Sequence, residues 1–311
     1  MAKLKSVFIL SENPAALGQL AAAAREIGES VSAVLIGRGQ EKQVIEGGAD
    51  RVYLLPEGQG QIVEDYVPSI QKLIADEKPQ AVLVRTSRKG RLIAGRLAAA
   101  SGTSVLADTS RLWVENDSLH SARMVYGGAA IRVERAKGPV TVALVGDGLY
   151  EPLKPDAGRK GDVVEVPFVQ PARRATLVES RPKGGESVNL AAAKKIVCIG
   201  RGLAKQEDLS LIEDLAKTLG AEVGCTRPIT EGVNWLPRER YIGVSGVMVK
   251  PDVAFVIGIS GQIQFTVGVN TARTIIAINN DKNAPIFKSA DYGIVGDLYT
   301  VVPALADKLK G

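Results

Sequence analysis

What most constrains this chain is a rhythm. Short β-branched apolar runs alternate with stretches of helical period, and the pattern occurs twice. KSVFIL (5–10) and VSAVLI (31–36) flank the alanine-rich stretch Asn13–Gly28, whose Leu17, Leu20, Ala24 and Ile27 fall at helical spacing. The alternation continues through a short helix over Gln43–Gly48, a strand Arg51–Leu55, a helix Tyr66–Asp76, a strand Ala81–Val84 and a helix Gly90–Ser101. Strands linked by helices can pair only in parallel, because each crossover returns the chain to the starting edge, and the sheet is then covered on both faces.

The rhythm changes after Leu112. Trp113–Glu115, Leu119–Val125, Ala129–Val133 and Val140–Val145 read as strands without long helices between them, which predicts antiparallel additions to the same sheet. Then Pro152, Pro155, Pro167, Pro171 and Pro182, interleaved with charges and closed by Gly184-Gly185, mark Pro152–Ser187 as an exposed crossing segment.

A second rhythm follows: strand Lys195–Ile199, turn Gly200-Arg201-Gly202, helix Glu207–Leu219 ending at Gly220, strands Glu222–Gly224, Ala254–Gly258, Thr274–Ile278 and Gly293–Gly296, and a closing helix Pro303–Lys310. The expected fold is α/β with two domains. An N-terminal mixed-sheet domain spans 1–185, and a smaller, doubly wound parallel-sheet domain spans 186–311. Two cores suit 311 residues.

Composition excludes several functions. The one histidine, His120, lies beside the hairpin-forming Asn116-Asp117 and reads as a surface residue, so histidine-based metal or triad chemistry has little to work with. Two cysteines, Cys198 and Cys225, make no disulfide framework or metal cluster and read as buried free thiols. A net charge of +5 is mildly basic. Its densest cluster, Arg85–Arg96, contains no aromatic residue, which argues against nucleic acid. That cluster reads as a solvated helix start, or as a docking patch for an acidic partner or a phosphate. No apolar run reaches the roughly 18 residues that span a bilayer, and Val7–Leu10 is too short for a signal peptide, so no membrane insertion and a cytoplasmic location are expected.

In parallel α/β sheets, ligands sit outside the carboxyl ends of the strands. Those ends carry Gly200-Arg201-Gly202, Thr226-Arg227, Ser260-Gly261-Gln262, Asn279-Asn280-Asp281 and Asp297. Glycines admit phosphate close to backbone, arginines balance its charge, and amides or a carboxylate hold ribose hydroxyls. Each motif alone is weak: GRGLA lacks the third glycine of G-x-G-x-x-G. Their recurrence at one end of the sheet predicts a nucleotide site. An enzyme using NAD or thiamine diphosphate in such a crevice needs an acid/base pair, and Asp297 stands without a histidine.

The segments VCIGRGL, GCTRP, RERYIGVSGVMVKPD, IGISGQIQ, IAINNDKNAPIF and ADYGIVGDLYTVVPAL, over 195–305, resemble the α subunit of electron transfer flavoprotein, of the bacterial, FixB-like kind. The N-terminal part is similar more loosely, in its β-α rhythm and in MVYGGAA (124–130). The resemblance implies a heterodimer with a β subunit and one FAD held mostly by the second domain. The first domain, adenine-nucleotide-hydrolase-like, then serves partner docking. It implies an electron carrier and not an enzyme, taking electrons from acyl-CoA-type dehydrogenases to a quinone reductase or other acceptor. A nucleotide-binding regulatory or interaction subunit without redox activity is the alternative.

By the same resemblance, Arg201 lies at the FAD diphosphate, Thr226 at its phosphate or ribityl region and Arg227 over the isoalloxazine ring. Ile242, Gly243, Val244 and Ser245 form the loop beside the ring, with the Ser245 hydroxyl at N5. Ser260, Gly261, Gln262, Ile263 and Gln264 cradle the diphosphate and ribityl chain. Phe265 faces the pyrimidine carbonyl, and Asn279, Asp297 and Leu298 lie at the adenosine end. Two departures stand out. The family loop G-Q-T-G-K is Gly243-Val244-Ser245-Gly246-Val247 here, and the family turn S-G-A-I-Q-H ends in Phe265. A phenylalanine cannot donate the histidine's hydrogen bond, which implies a less stabilised one-electron-reduced anionic ring.

Overall fold

The computed structural model describes residues 2–179 and 188–310. The chain divides into two compact units. One comprises 1–125 and 129–182, the other 126–128 and 183–311. The expected boundary at 185/186, with Gly184-Gly185 and the end of the crossing segment, lies outside the described residues.

The N-terminal unit runs β1 (Leu4–Leu10), α1 (Leu17–Ile27), β2 (Gly28–Ile36), α2 (Glu41–Glu46), β3 (Arg51–Leu55), α3 (Val67–Glu77), β4 (Ala81–Arg85), α4 (Arg88–Ala100), β5 (Val105–Thr109), β6 (Arg111–Glu115), β7 (Ser118–Val125), β8 (Ala130–Arg135), β9 (Thr141–Val145) and β10 (Asp162–Glu165). Its main sheet has seven strands in the order β10-β3-β2-β1-β4-β9-β5, every pair parallel. One apolar cluster packs α1 and α2 on one face, and a second packs α3 and α4 on the other.

The antiparallel strands do not extend this sheet as expected. β6, β7 and β8 form a sheet of their own. Asn116 and Asp117 both take left-handed φ, +47° and +55°, the geometry of a two-residue hairpin turn whose twist suits antiparallel partners. The run expected to join them, β9, enters the parallel sheet between β4 and β5. Its TVALV is buried at every position, the mark of a strand covered on both faces. His120 stacks on Trp113 within the hairpin, ring centroids 5.7 Å apart.

The proline-rich segment is also less free than its composition suggests. β10 pairs with β3, Val169 N–H donates to Ser69 Oγ at 2.8 Å, and Arg159 reaches Asp50 at 2.8 Å. Arg85 Nε and Nη2 bind Asp147 at 2.8 and 2.6 Å, and its Nη1 binds Glu12 at 3.1 Å. These three residues follow or end β1, β4 and β9, so an ion-paired cluster bridges the strand ends where the order reverses, beside a cavity of about 360 Å³ that Glu12 also lines.

The C-terminal unit runs β11 (Lys195–Ile199), α5 (Leu209–Leu219), β12 (Glu222–Cys225), β13 (Val253–Ile257), α6 (Ile263–Val269), β14 (Thr274–Asn279), β15 (Tyr292–Val295) and α7 (Leu298–Leu309). Its five strands are parallel in the order β12-β11-β13-β14-β15, a doubly wound sheet with α5 and α7 on one face and α6 on the other. Gly220 ends α5 at φ +61°. The closing helix starts before Pro303, because Asp297 Oδ1 accepts from Tyr299 N–H and caps it at Leu298. The short α6, with its valines and glycine, carries little helical signal, and the sequence reading has no helix there.

Candidate functional site

The strand order reverses between β11 and β13, and the cavity of the C-terminal unit lies at their carboxyl ends. Its volume is about 430 Å³, within the range of small-molecule sites. Two turns build its floor. Gly202 N–H donates to Gly258 O at 3.0 Å, and a β-carbon at Gly202 would fall 2.5 Å from Gly258 Cα. Gly258 takes φ +60°. The bare backbones of the turns after β11 and β13 therefore touch.

The rim carries the polar groups. Arg201, Thr226, Arg227, Ser260, Gln262, Gln264 and Asn279 line the cavity, with Phe265 as an apolar wall. Arg201 and Arg227 are exposed. Arg227 Nε donates to Glu231 Oε2 at 2.5 Å, and Glu231 also meets Arg238 at 3.5 Å. That carboxylate holds Arg227 above the usual arginine pKa, so the guanidinium stays charged at any working pH. Asn279 is buried and already engaged: its amide donates to Ile259 O at 2.9 Å, and its Oδ1 accepts from Asp281 N–H at 2.9 Å. It ties the β13 and β14 exits together and has only part of its capacity left for a ligand. Phe265 is 5% exposed and packs into the core with Ile242, Val249 and Ile286.

Other residues expected at the site stand beside the cavity without lining it. The Ile242 side chain is wholly buried. Gly243, Val244 and Ser245 form the adjoining loop, in which Val244 N–H donates to Gln264 O at 2.9 Å. Gly261 is pressed against Ile286, and Ile263 is half exposed on α6. Asp297 caps α7, and Leu298 is buried in the core beneath Gly258. Conversely, Pro228, Tyr241, Asp281 and Ala284 line the cavity and were not among the expected binding residues. Asp281 sits at a strand exit and was legible there. Tyr241 precedes the glycine loop by two positions, and nothing in its spacing announces it.

Both cysteines are buried free thiols, on opposite faces of the sheet. Burial pushes the Cys225 thiol up to about 12 and Cys198 higher still, so neither offers a thiolate. Among the described residues, no cluster of histidine, cysteine or carboxylate side chains could hold a metal ion, and no helix is long and apolar enough to cross a membrane.

A doubly wound sheet with glycine turns, two guanidinium groups and a fringe of amides and hydroxyls at its switch point defines a nucleotide-cofactor domain. Known proteins make that class specific. Residues 189–270 match the family model for the electron transfer flavoprotein FAD-binding domain, and residues 13–171 match the electron transfer flavoprotein domain. YdiR of Escherichia coli (strain K12), provisionally named an electron transfer flavoprotein subunit, is 40% identical over 311 residues, 100% of both chains. Protein FixB of Salmonella typhimurium (strain LT2) is 38% identical over 99% of both chains. The FixB of Escherichia coli O157:H7 is 36% identical over the same share. The chain belongs to the electron transfer flavoprotein α-subunit family, of the FixB-like kind, and its cofactor is FAD.

Proposed function

We propose that the chain is the α subunit of a cytoplasmic heterodimer with a β subunit. It holds FAD in the C-terminal unit and carries electrons from an acyl-CoA-type dehydrogenase to a quinone reductase or other acceptor, turning over no substrate of its own. The observation that carries this reading is the cavity rim, where two guanidinium groups, amides and hydroxyls gather at the strand exits. That set suits binding and tuning a dianionic diphosphate and a flavin ring.

The residues fit FAD. Arg201 and the Ser260–Gln262 turn offer a cation, a hydroxyl and an amide to the diphosphate, with Gly261, Ile263 and Gln264 shaping the path of the ribityl chain. Thr226 offers its hydroxyl beside Arg227. Asn279, Asp297 and Leu298 lie at the adenosine end. Bound FAD supplies reversible uptake of electrons. The chain's part is to place charge and protons around the ring. Arg227, whose proton cannot be shed, balances negative charge gained on reduction. Ile242, Gly243, Val244 and Ser245 close one side, where Ser245 holds a proton toward N5. Phe265 excludes water without donating a hydrogen bond.

Co-expression with the β subunit and a count of flavin per heterodimer tests the proposal. The expected result is a yellow complex with one FAD, bleached by a reduced acyl-CoA dehydrogenase. A colourless complex holding an adenine nucleotide supports a regulatory or interaction subunit instead.

A further inference from the structure

Tyr241 is a cavity-lining residue to which the family resemblance assigns no role. The bridge Cys225↔Tyr241 and the bond from Ile242 N–H to Cys225 O, 2.9 Å, fix its backbone against β12. Its side chain is 3% exposed, yet it lines the cavity. The loop Gly243–Gly246 is folded around its ring. A β-carbon at Gly243 would fall 2.9 Å from the Tyr241 hydroxyl, and one at Gly246 would strike Tyr241 Cδ1 at 2.7 Å. Val247 N–H closes the wrap on Tyr241 O at 2.8 Å. Gly246 is thus required by Tyr241, by its backbone oxygen as well as its ring, and Gly243 by Gln264 O at 2.5 Å together with the tyrosine hydroxyl. The phenol lies 3.4 Å from Ser245 Oγ.

We infer that Tyr241 is a positioning residue for the redox end of the site. Its ring is the former on which the Gly243–Gly246 loop is shaped, and its hydroxyl directs the proton of Ser245. This rests on the reading that Ser245 lies at the flavin N5. A serine hydroxyl has one proton and two lone pairs. A phenol is the more acidic partner, so it donates to Ser245 Oγ and leaves the serine's only proton for the flavin nitrogen. Donation along such a chain also strengthens the terminal hydrogen bond. The pair supplies through one hydroxyl what a loop lacking a side-chain amide and an amine cannot supply through more.

The test is a redox titration of the FAD-loaded heterodimer against a reference dye, on wild type, Tyr241→Phe, Ser245→Ala and the double variant, with each signal normalised to bound flavin. Tyr241→Phe keeps the ring and removes the proton. The reduced-to-oxidised ratio at fixed potential is expected to fall about fivefold, the worth of one hydrogen bond. Ser245→Ala is expected to lower it at least as far, and the double variant no further than Ser245→Ala alone. A Tyr241→Phe ratio equal to wild type beside a lowered Ser245→Ala ratio overturns the inference and leaves the FAD site standing, as does an additive double variant. A Ser245→Ala ratio equal to wild type overturns both the inference and the placement of Ser245 at N5, with the FAD site still standing. Difluorotyrosine at 241, a stronger donor of nearly the same shape, is expected to raise the ratio, and no rise counts against the inference. Tyr241→Ala, which removes the former, is expected to lower the melting temperature of the cofactor-free complex, whereas Tyr241→Phe is not.

Discussion

At Phe265 two demands meet in one side chain. The ring is 5% exposed and packs with Ile242, Val249 and Ile286, yet it also walls the cavity. Phe265→His restores a donor toward the flavin but puts polar nitrogen in the core. The expected outcome is a higher reduced-to-oxidised ratio in a dye-linked titration, together with a stability loss of about 1–3 kcal/mol by thermal unfolding. A stability loss with an unmoved ratio means that Phe265 does not face the ring. Arg227→Gln removes a fixed charge and is expected to lower the ratio about tenfold or more, the effect weakening as salt is added. Arg227, Ser260 and Gln262 were legible as candidates because a strand exit exposes whatever follows it. Phe265 and Asn279 were legible by position only. Burial, and the use of the Asn279 amide to join two loops, depend on neighbours far away in sequence.

At the level of elements, the two turns pressed together after β11 and β13 decide whether the cavity exists. Gly258→Ala would place a β-carbon 2.9 Å from Gly202 Cα and 3.1 Å from Leu298 Cδ2, at φ +60°. Gly220→Ala at the end of α5 has the same hand, φ +61°, and nothing within 4 Å. The second change is expected to cost about 1 kcal/mol, the left-handed penalty alone, and the first upwards of about 2 kcal/mol with loss of bound FAD. Urea unfolding and flavin release measure the two. Equal costs would show that the turns are free to part. The strands and most helices could be read from period, since alternation and helical spacing are local properties. α6, β5 and β10 could not. α6 is too short and too β-branched to declare itself, and β5 and β10 are strands only because β9 and β3 offer them edges.

Across the whole molecule, the two units use their switch points differently. In the N-terminal unit the ion-paired Arg85, Asp147 and Glu12 bridge the strand exits, while in the C-terminal unit glycine turns, arginines and amides border the cavity there. One FAD per heterodimer and none in the N-terminal unit is the expected content. The N-terminal unit is also held by Asp50, which accepts from Val31 N–H at 2.9 Å and pairs with Arg25 and Arg159. Burial pushes its carboxyl up, but the two guanidinium groups and the amide outweigh this and leave it below the usual carboxylate value. A carboxyl lowered in the folded state binds fewer protons there than in the unfolded chain, so its stabilisation is complete above about pH 4 and is lost as pH falls through the folded pKa. Asp50→Asn is expected to be less stable than wild type at pH 7 and to lose less on going to pH 3, as urea titrations at both pH values would show. The sequence alone determined the α/β class, the parallel C-terminal sheet, and the strand exits at which a cofactor can be bound, because strand and helix periods and the residues ending them are written locally. Only the tertiary structure decided that the antiparallel strands form a separate sheet, that ion pairs bridge one switch point and glycine turns border the other, and that Tyr241 stands inside the glycine loop. Those outcomes depend on which side chains meet across the sheet, and no spacing along the chain records that.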